Sequence, residues 1–139
     1  MLILPSLLHE PRFRPCWRML LAILAGVTAW FAFSPGEGVL PTTGADKLDH
    51  VLAFGSMACA TALAWSPSTR HRRSGAALLL IYGGLIEVVQ TQIPGRHGNA
   101  ADLLADAVGI GGGLLLMSLL RSAWPAVGML SAQPRAPRD

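Results

Sequence analysis

The organisation of this chain follows from residues 87–113, EVVQTQIPGRHGNAADLLADAVGIGGG. Its polar side chains stand between two strongly apolar segments and include Glu87, Gln90, Arg96, Asp102 and Asp106. At the edge of a bilayer such groups are costly unless they face partners or water, so they mark a functional site by default. The stretch therefore predicts a polar site at a membrane face.

The composition of the chain is that of a membrane protein. Of its 139 residues, 52% are hydrophobic and only 14% are charged, whereas soluble domains carry about 25% charged residues. The formal net charge is +3, but the basic residues stand where membrane topology would place them, so we expect no nucleic-acid partner. The two cysteines lie far apart in different segments and do not suggest a disulfide framework.

Four apolar segments predict an all-α, four-helix membrane bundle, at residues 19–36, 51–69, 74–94 and 102–120. A span needs about 20 residues. The domain prediction is a cytoplasmic N-terminal segment (1–18), a four-helix transmembrane domain (19–121) and a disordered cytoplasmic tail (122–139). A cleavable signal peptide is the competing interpretation of the first segment, although its aromatic end is more typical of an interfacial belt.

Charge asymmetry predicts the orientation. Two of the eleven basic residues, Lys47 and Arg96, flank one side of the four segments. The other nine flank the opposite side: Arg12, Arg14, Arg18, Arg70, Arg72, Arg73, Arg121, Arg135 and Arg138. By the positive-inside rule, both termini are cytoplasmic and the polar residues lie at the outer face. We therefore expect a multi-pass protein of the bacterial cytoplasmic membrane.

A second polar group precedes the second apolar segment. Asp46 and His50 are four residues apart, and Lys47 and His50 three apart, so on a helix they share one face. Together with the first stretch, they predict one site. Arg96 offers a planar fork for a phosphate or carboxylate, and His50 or Glu87 could serve as general base.

Two other roles for these residues stay open. Lys47 and Arg96 could simply neutralise the carboxylates as a structural network. The carboxylates and His50 are also ligand types that divalent cations use. We nevertheless predict neither a bound metal nor a cofactor. The candidate catalytic residues are His50 and Glu87; the candidate ligand-binding residues are Asp46, Lys47, Gln90, Arg96, Asp102 and Asp106.

Small residues predict close helix packing. Gly109 and Gly113 fall on the same helical face as Asp102 and Asp106, one surface suited to close contact between membrane helices. Gly83 lies one turn below Glu87, where a small residue lets a neighbouring helix approach.

The polar motifs resemble those of the VanZ-like family. They are Asp46-Lys47-x-x-His50-x-x-x-Phe54, Glu87-x-x-Gln90, Gly95-Arg96 and Asp102-x-x-x-Asp106-x-x-Gly109, and the similarity covers about residues 30–118. The resemblance implies a small polytopic bacterial membrane protein with a polar site at one membrane face. The family is linked to resistance to the glycopeptide teicoplanin. Family members commonly carry Asn where this chain has Asp106.

These observations lead to one expected function and one alternative. The expected partners are the lipid bilayer and an anionic or glycan-bearing envelope component, such as a lipid or glycan precursor, which the site binds or modifies. The alternative is a non-catalytic assembly subunit that meets its partners through the Gly109/Gly113 face. Neither catalysis nor oligomeric state follows from the sequence.

Overall fold

The described residues form a bundle of four α-helices. The computed structural model describes residues 10–34, 46–96 and 98–131, with residues 124–131 as backbone alone. A 3-10 turn at Pro11–Phe13 leads into α1 (Arg14–Phe33), which is followed by α2 (Asp46–Ala64), α3 (Thr69–Gln90) and α4 (Ala100–Ser131). The described residues form no strand, so the predicted all-α class is confirmed.

The ends of the helices differ from the prediction at both termini. Residues 11–18 were expected to lie outside the bundle, yet α1 starts at Arg14 because Pro15, at its first turn, suits a helix start. α4 continues beyond residue 121 and ends at Ser131, although Pro125 and Gly128 lie within it. Residues 35–45, between α1 and α2, and residues 132–139 lie outside the described residues.

Successive helices run in opposite directions, as polar contacts at both ends of the bundle show. At one end, the Arg18 guanidinium of α1 donates to the backbone carbonyl of Ala64 at 3.3 Å. Arg121 of α4 donates to the carbonyl of Ala62. The last carbonyls of α2 are thus capped by cations, which also suits the negative end of the helix dipole.

The tightest packing in the bundle joins α2 to α4. A Cβ added at Gly55 would lie 3.3 Å from the carbonyl oxygen of Gly109, and one added at Gly113 would collide with the carbonyl of Gly55. The two backbones therefore touch, as the glycine spacing of α4 predicts. Because α2 covers Gly109 and Gly113, the face expected to receive an assembly partner is occupied within the chain.

A small apolar core lies beside this contact. Phe54 and Met57 of α2, Ile86 of α3 and Ile110 of α4 are almost fully buried. α1 contributes no buried residue, but its Leu21 and Leu24 pack against the core cluster. α1 therefore lies on the edge of the bundle.

The outward faces of all four helices are apolar. Large exposed side chains include Ile23 and Trp30 on α1, Leu52 on α2, Ile81 and Val88 on α3, and Leu104, Val108 and Leu119 on α4. Soluble monomers rarely expose contiguous apolar patches of this kind.

Two of the described helices are long and apolar enough to cross a membrane, over Pro11–Phe33 and Ala100–Ala123. α2 and α3 do not reach that standard: α2 begins with four ionisable residues, and α3 has a basic cluster at its start and Glu87 near its end. Four helices are thus confirmed, while crossing by all four stays a prediction.

Candidate functional site

The polar residues predicted to form a site lie at one end of the bundle. That end comprises the starts of α2 and α4, the ends of α1 and α3, and the α3–α4 loop. It is opposite the end where Arg18 and Arg121 cap α2. The predicted site residues are Asp46, Lys47 and His50 on α2, Glu87 and Gln90 on α3, Arg96 in the loop, and Asp102 and Asp106 on α4.

The centre of this end is a buried pair between His50 and Asp106. The Nδ1 of His50 lies 2.7 Å from Oδ1 of Asp106, and the aspartate side chain is fully buried. In the tautomer that carries its proton on Nδ1, His50 donates to this carboxylate, and the bond holds the ring in one orientation. The Phe54 ring is parallel to the imidazole, with centroids 6.3 Å apart. This pairing engages Nδ1, so Nε2 is the ring nitrogen that could act as a base or bind a ligand.

Asp106 reaches across to α3 through Gly83. A Cβ added at Gly83 would collide with Oδ2 of Asp106 and lie 3.2 Å from Cζ of Phe54. The sequence predicted that this glycine opens space for a neighbouring helix, and the neighbour is the Asp106 side chain. Its Oδ2 is buried and has no hydrogen-bond partner among the described residues.

Asp102 lies one turn before Asp106 and faces the start of α2. Its side chain is 5% exposed, and its Oδ1 is 3.9 Å from Nζ of Lys47, which is 62% exposed. That distance is an ion pair but too long for a hydrogen bond, so the buried Oδ1 has no hydrogen-bond partner among the residues described. Asp102, Asp46 and His50 offer ligand atoms that all lie within 4.8 Å of one another.

Glu87 is a buried carboxylate held by the loop that follows α3. Its Oε2 accepts the backbone N–H of Asn99 at 2.6 Å, while the buried Oε1 has no hydrogen-bond partner within the described ranges. Asn99 in turn caps α4, because its Oδ1 accepts the N–H of Ala101 at 3.0 Å. Sequence reasoning missed Asn99, although an Asn directly before a helix start is the signal of an N-cap.

Gln90 and Arg96 hold the end of α1 and do not point their donors at the carboxylates. Gln90 Nε2 donates to the carbonyl of Ala32 at 3.2 Å. Arg96 donates from Nη2 to Phe31 at 3.1 Å and to Ser34 at 3.2 Å, and Nε also reaches Ser34. These carbonyls belong to the last turn of α1 and to its C-cap residue Ser34, where free acceptors need partners. A ligand contact by Arg96 stays a prediction.

The site is acidic in the part of the chain that the structure describes. Four carboxylates (Asp46, Glu87, Asp102 and Asp106) face Lys47 and His50, while the Arg96 charge is directed to α1. Carboxylate oxygens without hydrogen-bond partners are rare in buried positions and call for an explanation, such as a bound ion, water or ligand. The arrangement can accept hydrogen bonds, bind a cation, or transfer a proton through His50.

Comparisons with protein-family models, with curated proteins and with solved structures found no match. The resemblance to the VanZ-like family therefore remains an expectation based on the motifs quoted above.

Proposed function

We propose that this chain is a multi-pass protein of the bacterial cytoplasmic membrane whose polar site faces outward. Apolar side chains on the outward faces of all four helices support insertion of the whole bundle. The basic residues of α1, α3 and α4 gather at the opposite end, which the positive-inside rule assigns to the cytoplasm. Both termini are then cytoplasmic.

The outward-facing site binds, or binds and modifies, a glycan-bearing or anionic component of the envelope. The observation that carries this proposal is the grouping of Glu87, Asp102 and Asp106 at one end of the bundle, each with a buried carboxylate oxygen that has no hydrogen-bond partner among the described residues. Sugar hydroxyls are donors that would satisfy them, and Lys47 lies at the exposed rim where an anionic group would approach. Burying such acceptors unpaired costs roughly 1–3 kcal/mol each, which a bound ligand would recover.

Membership of the VanZ-like family is part of the proposal. Its support is that residues of the four motifs come together at one end of the bundle. His50 and Asp106, for example, are 56 positions apart in the sequence and in contact. The assembly-subunit alternative has weaker support, because α2 covers the glycine face on which it depended.

The test is mass spectrometry of envelope components that co-purify with the tagged protein in mild detergent. The informative variants are His50→Ala and Glu87→Gln; the latter keeps an acceptor for Asn99 and removes the charge. The matched control is Asp49→Asn. It makes the same acid-to-amide change as Glu87→Gln and lies in the same turn of α2 as His50. We expect a glycolipid or lipid-linked glycan that is enriched with wild type and Asp49→Asn, and lost from the two site variants at equal membrane abundance. Identical co-purified lipids from all four proteins would contradict the proposal.

A further inference from the structure

The start of α2 and the start of α4 bring three metal-ligand side chains together. One carboxylate oxygen each from Asp46 and Asp102 and a ring nitrogen of His50 lie within 4.8 Å of one another. We propose that these three residues form a binding site for a divalent transition-metal cation of the Zn²⁺ or Mn²⁺ type. Neither the sequence motifs nor the proposed ligand-binding role requires such an ion.

Acidic residues at helix starts often need no cation, because the positive end of the helix dipole stabilises them. That explanation suffices for the exposed Asp46. It is insufficient for Asp102, because α4 already has its N-cap in Asn99 and the Asp102 side chain is 95% buried. Oδ1 of Asp102 is buried without a hydrogen-bond partner within the described part of the chain, and the Asp102 side chain lies within hydrogen-bond reach of the Asp46 carboxylate. A cation bound between these two carboxylates and His50 would offset their mutual repulsion.

The second observation is the support behind the histidine. Metal-binding histidines almost always donate their other ring N–H to a carboxylate or carbonyl, which fixes the ring and raises its basicity. Asp106 does this for His50: Nδ1 is held at 2.7 Å by a fully buried carboxylate. Coordination would then use Nε2. Asp106 is a positioning residue in this scheme, and Gly83 makes the space in which it sits.

The donor set selects the class of cation. An imidazole with carboxylates suits zinc, manganese or iron, whereas magnesium and calcium favour oxygen ligands alone. Three protein ligands leave coordination positions for water or for an oxygen of a bound molecule. The cation would also offset the excess negative charge of the site, so that an anionic envelope component could approach. This last step rests on the proposed function, but the cation site itself does not.

The experiment titrates the full-length protein in detergent with Zn²⁺ and with Mn²⁺ alone. Isothermal calorimetry gives affinity, and Mn²⁺ electron paramagnetic resonance reports whether a nitrogen is coordinated. We expect one ion per chain with a dissociation constant below 100 μM (about −5.5 kcal/mol on the 1 M scale) and a nitrogen coupling. Asp46→Asn and Asp102→Asn should each weaken binding by about 10-fold or more, and His50→Ala should abolish the nitrogen coupling.

Asp106→Asn tests the positioning role, because it keeps the shape of the side chain and lowers the basicity of His50. We expect affinity to fall by about 10- to 100-fold with the nitrogen coupling retained.

Asp49→Asn is the matched control and should bind as wild type does. Asp46 is exposed, so Asp46→Asn remains informative even where a buried variant fails to fold. Absence of stoichiometric binding by wild type, or equal binding by wild type, Asp46→Asn and Asp102→Asn, would overturn the proposal. Because the probe is the metal alone, these results are separate from the glycolipid test.

Discussion

At the scale of single residues, Gly83 decides whether the His50–Asp106 pair fits. A Cβ at this position would collide with Oδ2 of Asp106 and crowd Phe54. A Cβ added at Gly84, the next residue along the helix, would meet no atom of another helix within 4 Å. The two glycines offer the same substitution in opposite environments.

We predict that Gly83→Ala lowers the free energy of unfolding by about 1–3 kcal/mol, the usual cost of overpacking. Gly84→Ala should change it by no more than about 1 kcal/mol, in the stabilising direction, because alanine has the higher helix propensity. Denaturant unfolding in mixed micelles measures both. Equal stability of the two variants would show that α3 and Asp106 are not in close contact.

At the scale of elements, Arg96 and Gln90 attach α1 to the other three helices. α1 buries no residue of its own, so its position depends on half-buried apolar contacts and on polar bonds such as that from the Tyr82 hydroxyl to the carbonyl of Ala25 at 2.6 Å. Arg96 adds hydrogen bonds from a charged group to the last turn. Such bonds are worth about 1.5–3 kcal/mol each.

We predict that Arg96→Ala loosens the end of α1 and raises hydrogen exchange at the amides of residues 30–34 by 10-fold or more, which corresponds to about 1.4 kcal/mol. The exposed Arg73 at the opposite end supplies the control, and Arg73→Ala should leave those amides unchanged. If Arg96→Ala leaves α1 protected but eliminates the co-purified envelope component, Arg96 is a ligand contact, as the sequence suggested.

The helices and their polar ends follow from the sequence because local signals determine them. Apolar stretches of span length, the proline at 94 after α3, and i, i+4 spacing are all properties of neighbouring residues. The pairing of His50 with Asp106 is different: they are 56 residues apart, and their contact depends on the register of α2 against α4. The glycine spacing predicts that those helices approach closely, but not which turn of one meets which turn of the other.

The partners of Arg96 could not be predicted either, because they too are distant from it in the sequence. Its sequence neighbours are acidic residues of α3 and α4, which suggested carboxylates. The structure instead places the guanidinium at the end of α1, more than 60 residues away in the sequence. The backbone carbonyls at a helix end need hydrogen-bond donors. Every helix end has such backbone acceptors, whatever its side chains are, so the sequence does not show which of them Arg96 will bind.

At the scale of the whole molecule, the bundle is polar at both ends and apolar around its circumference. One end combines a basic set of side chains with the capped carbonyls of α2, and the other contains the buried carboxylates and His50. Exposed Leu, Ile and Val side chains cover the helix surfaces between them. This pattern matches a bilayer, whose hydrocarbon core excludes charge and whose two faces accept it. The central claim is therefore that the acidic end faces outward and the basic end faces the cytoplasm.

Labelling of single cysteines tests that claim most directly. In a background of Cys16→Ser and Cys59→Ala, Lys47→Cys would report the acidic end and Arg73→Cys the basic end, since both native side chains are exposed. With a membrane-impermeant maleimide on intact cells, we expect labelling of the cysteine at position 47 and protection at position 73 until the cells are permeabilised. Labelling of position 73 but not of position 47, or of both positions alike, would contradict an outward-facing site.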